Sequence, residues 1–138
     1  MLTGAVETLK DLHKMNLKMG LCTTNSEKAA NYILQRFKID SYFKVVVPRD
    51  KVKYVKPHTE QFELALKTLG VRPKGTLIVG DSTVDMQSAV ELKAIAVGLT
   101  TGLYTTEQLM GNGANYIITS LTDLPILIKK INEEIKRQ

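Results

Sequence analysis

The stretch LIVGDSTVDMQSAV, Leu77 to Val90, decides how the rest of the chain is read. Thr76 to Val79 is a short β-branched and aliphatic run, the pattern of a buried strand. It stops at the polar turn Gly80, Asp81, Ser82, and the apolar spacing of Met86, Ala89, Val90 and Leu92 then predicts a helix. In open parallel sheets the ligand site lies beyond the carboxyl ends of the strands, where this turn falls. Asp81 leaves the strand end and Asp85 follows on the first helical turn, so both carboxylates can be directed at one place. Two hard oxygen donors, with water and phosphate completing the shell, are what magnesium prefers. The same two residues could instead complement the helix N-terminus, and spacing alone leaves both readings open.

Working outward, helices alternate with short strands. Ala5, Val6, Leu9 and Leu12 predict an amphipathic helix over Gly4 to Met15, stopped at Asn16. Leu17 to Thr23 reads as a strand, Ser26 as the N-cap of the next helix, and Phe43 to Val47 as a second strand. A basic loop leads to Pro57 near the start of a helix that ends at Gly70, with a turn at Pro73 and Gly75. Beyond the central stretch come a strand at Ile95 to Leu99, a short helix opened by Thr106 or Glu107 and ended near Gly111 and Gly113, a strand at Tyr116 to Thr119, and a closing helix from Leu124 to Ile135. Strands separated by helices need crossover connections, so the class is α/β, with a mostly parallel sheet covered on both faces.

The chain has 138 residues, 43% of them hydrophobic and 24% charged, enough for one domain over residues 1–138 with its own core and unlike a disordered or low-complexity sequence. One cysteine excludes a disulfide framework and any cysteine-rich zinc module. No apolar run reaches the roughly 20 residues needed to span a bilayer, and the N-terminus lacks the apolar core of a signal peptide; the expectation is a cytoplasmic protein with no membrane contact. The net charge of +5 attracts anions generally. The basic stretch Lys44 to Lys56 carries no nucleic-acid motif, so nucleic acid is not the expected partner, whereas small phosphorylated molecules are.

Two further clusters sit where ligands bind in such folds. Thr23, Thr24 and Asn25 follow a strand and precede a helix, where hydroxyls and N–H groups either cap the helix or hold a phosphate oxygen. Lys56, in VKPHTEQF, precedes a helix start and could neutralise an anion. Cys22 reads as a small core residue, His13 as solvated, His58 as either a bystander or a residue beside the substrate, and the five methionines as core filler.

Together these clusters resemble the haloacid dehalogenase (HAD) superfamily of hydrolases, in its phosphoglycolate-phosphatase-like branch. The likeness runs from GAVETLKDLHKMNLKMGLCTT through KIDSYFKVVV and VKPHTEQF to LMGNGANYIITSLTDL. It implies a HAD-like Rossmannoid core and magnesium-dependent hydrolysis of a small phosphate monoester. Thr23 would hydrogen-bond the transferring phosphoryl group, with Thr24 in the neighbouring polar slot. Lys56 would offset the charge of nucleophile and phosphate, and Asp81 and Asp85 would hold Mg2+ directly or through water. Thr59 departs from the pattern, standing where these proteins often have proline.

The resemblance also implies a first strand ending in Asp-x-Asp-x-Thr, whose first aspartate attacks phosphorus and whose second is general acid and base. No such motif occurs among the 138 residues; before Thr23 there are only Glu7 and Asp11, inside the first predicted helix. The substrate-choosing helical cap of this branch has no counterpart either. The expectation is a C-terminal core portion, inactive or nearly so by itself, because the remaining groups only stabilise charge that a nucleophile must first create. The missing strand would lie at the sheet centre, between the strands at 17–23 and 76–79. Its gap would close by direct pairing, by a partner strand or by self-association. Two alternatives follow: a binding or regulatory module, or one half of a split phosphatase.

Overall fold

A computed structural model describes residues 4–56 and 58–137. Helix α1 (Ala5–Lys14) is followed by strand β1 (Gly20–Cys22), α2 (Glu27–Arg36), β2 (Val45–Val47), α3 (Glu60–Leu69), β3 (Leu77–Gly80), α4 (Thr83–Leu92), β4 (Ile95–Leu99), α5 (Thr106–Gly111), β5 (Tyr116–Ile118) and α6 (Leu124–Lys136). The alternation is as the hydrophobic pattern predicts, and every strand pairing is parallel.

Local chemistry accounts for most boundaries. Asn16 stops α1 in the left-handed conformation, at φ 60°, which asparagine tolerates better than most residues. Ser26 caps α2 by accepting from the Ala29 N–H, and Gly70 ends α3 at φ 69°. Several boundaries shift by a residue or so, and three differ more from the sequence reading. The first two strands are shorter than 17–23 and 43–47, because residues 40–42 close into a 3-10 turn and only Gly20–Cys22 and Val45–Val47 pair. The third helix opens at Glu60 behind Thr59; Pro57 lies outside the described residues. His13, expected in solvent, is exposed but packs edge-on against Tyr42, with ring centroids 5.5 Å apart.

The strands form two sheets rather than one, β1-β2 and β3-β4-β5. In the larger sheet the period-2 alternation of side chains builds two cores. Ile78, Ala96 and Ile117 face Met86 and Ala89 of α4, Leu109 of α5 and Phe62 of α3. Leu77, Val79, Ile95, Val97, Leu99 and Ile118 face Leu12 of α1 and Leu124, Leu127 and Ile128 of α6. Among the described residues β1 and β3 exchange no backbone hydrogen bond, so direct pairing does not close the expected gap. Among the described residues no strand pairs with their inner edges, and both strands are less completely buried than β4. Beside β1 an apolar cleft of about 300 Å3 is lined by Leu21, Ala5, Leu9, Ile33 and Leu121, among others. No helix among the described residues is long and apolar enough to cross a membrane.

Leu109 is fully buried between α4 and the sheet, whereas Leu103 is 96% exposed. Leu109→Ala is therefore expected to cost about 2–5 kcal/mol in urea unfolding. Leu103→Ala should stay within about 0.5 kcal/mol of the parent.

Candidate active site

The carboxyl ends of β1 and β3 converge on one ammonium group. Lys56 Nζ donates to the carbonyl of Cys22, the last residue of β1, at 3.2 Å. It also stands 3.0 Å from Asp85 Oδ1, in the first turn of α4, and 5.2 Å from the centroid of the Phe62 ring. The Lys56 and Asp85 side chains are only 15% and 9% exposed. The contact is thus a mostly buried ion pair joining the two half-sheets, and the lysine is not part of the solvated basic face around it.

Asp85 is placed by its own helix start. Ser82, not Asp81, is the N-cap of α4. Its Oγ accepts from the Asp85 N–H at 3.4 Å and donates to Asp85 Oδ2 at 2.9 Å. Gly80 makes room, since a Cβ there would run into the Asp85 carboxylate. Asp85 Oδ1 is buried with no hydrogen-bond partner among the described residues, and the Lys56 ammonium is its ion-pair partner. Asp81 is exposed, has no ion pair or hydrogen bond among the described residues, and lies against Gly102, where a Cβ would meet its carboxylate at 2.8 Å. Asp81 and Asp85 are hard oxygen donors of the kind magnesium takes; with no cluster of three His, Cys, Asp or Glu among the described residues, water and phosphate oxygens would complete its shell.

Thr23 sits directly beyond β1, next to the carbonyl that Lys56 holds. Its N–H donates to Val47 O at 3.1 Å and its Oγ1 accepts from the Asn25 N–H at 3.1 Å, so the hydroxyl hydrogen is left to donate. Thr24 is exposed and makes no such contact. Thr23, Lys56 and Asp85 are therefore brought together, Asp81 borders them, and Thr24 stands outside. Glu7 and Asp11 lie on the exposed side of α1 and are not part of this group.

Two residues that sequence reasoning passed over hold the site in place. Gln61 is fully buried on α3, and its Nε2 donates to Thr23 O at 2.8 Å and Val47 O at 3.0 Å, satisfying the last carbonyls of the β1-β2 pair. Glu60 accepts the N–H groups of Lys53 and Tyr54, each at 3.0 Å, on its two carboxylate oxygens. Those bonds, helped by the nearby His58 and Lys53, keep its carboxyl below the usual range. No local signal marks Gln61, the second residue of α3, because the carbonyls it serves lie on other elements. Cys22 is half-buried; burial pushes its thiol up to about 11 against the pull of Lys56. The thiol is un-ionised at neutral pH and is no nucleophile.

A parallel α/β core with Thr23 and Asp81 just beyond its strands and a Lys56–Asp85 ion pair beside them fits a phosphatase-like hydrolase. The chain belongs to the haloacid dehalogenase-like hydrolase family, whose sequence model matches residues 1–98. It is 32% identical over 126 residues to pyrophosphatase PpaX of Bacillus mycoides, covering 91% of this chain and 59% of that protein. Among solved structures it resembles a hydrolase from Pseudomonas syringae at 35% identity and a TM-score of 0.85, over 94% of this chain and 59% of that one. A predicted phosphoglycolate phosphatase from Haemophilus somnus superposes with a TM-score of 0.84 at 26% identity, over 92% and 56% of the two chains. The chain thus spans somewhat over half the length of these relatives.

Removing one partner of the Lys56–Asp85 pair strands the other in a poorly hydrated place. Lys56→Met and Asp85→Asn are each expected to destabilise the fold by about 3 kcal/mol, the double variant by less than the sum. Urea unfolding of the four proteins measures this coupling.

Proposed function

We propose that the chain carries the phosphate- and magnesium-binding part of a phosphatase active site and that, by itself, it does not turn over substrate. The observation that carries this reading is the Lys56 ammonium set between the end of β1 and Asp85. Phosphoryl transfer depends chiefly on positioning and charge neutralisation, and these residues supply both. Thr23 would donate its hydroxyl hydrogen to a phosphoryl oxygen, Thr24 would border the entrance, and Lys56 would offset negative charge. Asp81 and Asp85 would hold Mg2+, which when bound polarises phosphate oxygens. The substrate class is a small phosphorylated molecule, a monoester or, by likeness to the PpaX protein, a pyrophosphate. The 138 residues hold no Asp-x-Asp-x-Thr, and Glu7 and Asp11 are exposed residues of α1, so the carboxylate that would attack phosphorus is not supplied by that motif.

The purified chain with magnesium should therefore hydrolyse p-nitrophenyl phosphate no faster than its Asp81→Asn variant, while inorganic phosphate should bind and lose affinity about tenfold in Lys56→Met. Turnover that Asp81→Asn abolishes would overturn the claim of inactivity. Absence of magnesium-assisted phosphate binding would overturn the site.

The free inner edges of β1 and β3 favour a second reading, in which the slot between them takes an added strand. A segment buried on both faces would be apolar along its length, and one ending in Asp-x-Asp-x-Thr would bring the missing carboxylates to the strand ends. Adding such a polypeptide to the chain is expected to give a complex by size exclusion with light scattering and to restore magnesium-dependent hydrolysis. A monomer that binds neither that polypeptide nor a second copy would remove this reading.

A further inference from the structure

We propose that Glu60 is the positioning residue of Lys56. The segment before α3 is a short, highly charged loop, and such loops ordinarily sample many conformations. Here it is fastened at four points. The Glu60 carboxylate accepts two successive N–H groups, from Lys53 and Tyr54. The Glu60 N–H donates to His58 Nδ1 at 3.1 Å, and the His58 N–H donates to Val55 O at 3.0 Å, closing a turn around Lys56. The Tyr54 and His58 rings stack across the base of that turn, with centroids 4.8 Å apart and planes 26° from parallel.

The geometry has one evident consequence. A closed turn whose two sides are tied to the first residue of a rigid helix leaves Lys56 few directions, and the one it takes runs inward, past the Phe62 ring, to Cys22 O and Asp85. Lysine alone could not secure this, since its four-carbon stem carries large rotamer entropy and its head prefers water. Only a carboxylate suits the clamp. Glutamine in its place would present an NH2 group to one of two N–H donors, whereas aspartate keeps both acceptors on a shorter arm. Glu60 is itself outside the phosphate site and acts through the lysine.

Surface labelling of amines by acetic anhydride, read by mass spectrometry lysine by lysine, tests the placement without any ligand. In Glu60→Gln, Lys56 should label about fivefold faster than in the parent, with the exposed lysines unchanged and Glu60→Asp in between. Equal rates at Lys56, or an acceleration shared by all lysines, would overturn the proposal. That Lys56 serves phosphate rests on the preceding reading, and inorganic phosphate titration separates the two ideas. Glu60→Gln should weaken phosphate about fivefold in the parent and not at all in Lys56→Met, because a residue acting through the lysine loses its effect once the lysine is gone. An additive loss would overturn the positioning role. If the parent itself failed to bind phosphate, the functional reading would fall and the labelling result would still decide the placement.

Discussion

The structure turns on a lysine ammonium held in a poorly hydrated place. Lys56 touches the last carbonyl of β1, the Asp85 carboxylate after β3 and the face of Phe62, which belong to three different segments of the chain. A charge is costly to remove from water unless it is paired and hydrogen-bonded. Satisfying this one constrains where β1 ends, where α4 begins and how α3 is approached. Gln61 and Ser82 do the complementary work, the first tying down the carbonyls around Thr23, the second orienting Asp85.

This arrangement matters because the two half-sheets share no strand pairing. In most α/β cores the ladder itself fixes the strand ends relative to one another, and catalytic groups inherit that precision. Here no described strand pairs with the inner edges of β1 and β3, so the side chains that converge at their carboxyl ends carry that task together with the packing of α1 and α3. The apolar cleft beside β1 and the incomplete burial of both flanking strands are two faces of the same fact. The likeness to HAD-type hydrolases over somewhat more than half of their length agrees with a core whose phosphate-holding residues are assembled while its sheet is divided.

Much of the architecture was legible from local patterns. β4 begins and ends at Ile95 and Leu99 as read, Ser26 caps α2, and Asn16 and Gly70 end their helices, because each depends on a few consecutive residues and on backbone preferences they carry with them. The lengths of β1 and β2 were overestimated for the opposite reason: an apolar run says that residues are buried, and pairing partners decide which of them form strand. Lys93 ends α4 at φ 64°, a left-handed position that nothing in a lysine announces.

Of the candidate site, Thr23, Lys56, Asp81 and Asp85 could be named from the sequence because their residue types and their places after strands or before helices are local properties. Which of them meet was decided only in three dimensions. Asp85 turned inward to Lys56 and Asp81 outward to Gly102 although they share one turn of chain, since Ser82 and Gly80 accommodate the first and not the second. Gln61, unremarked in the sequence, holds carbonyls of β2 and of the residue after β1, and a hydrogen bond between segments distant along the chain leaves no local trace, while Glu60 holds the loop just before its own helix. The sequence by itself determined the α/β alternation and the chemistry at the strand ends, because periodicity and residue type travel with the chain. Only the tertiary structure decided that the sheet is split and that one buried ammonium spans the split, because pairing and desolvation are properties of neighbours in space.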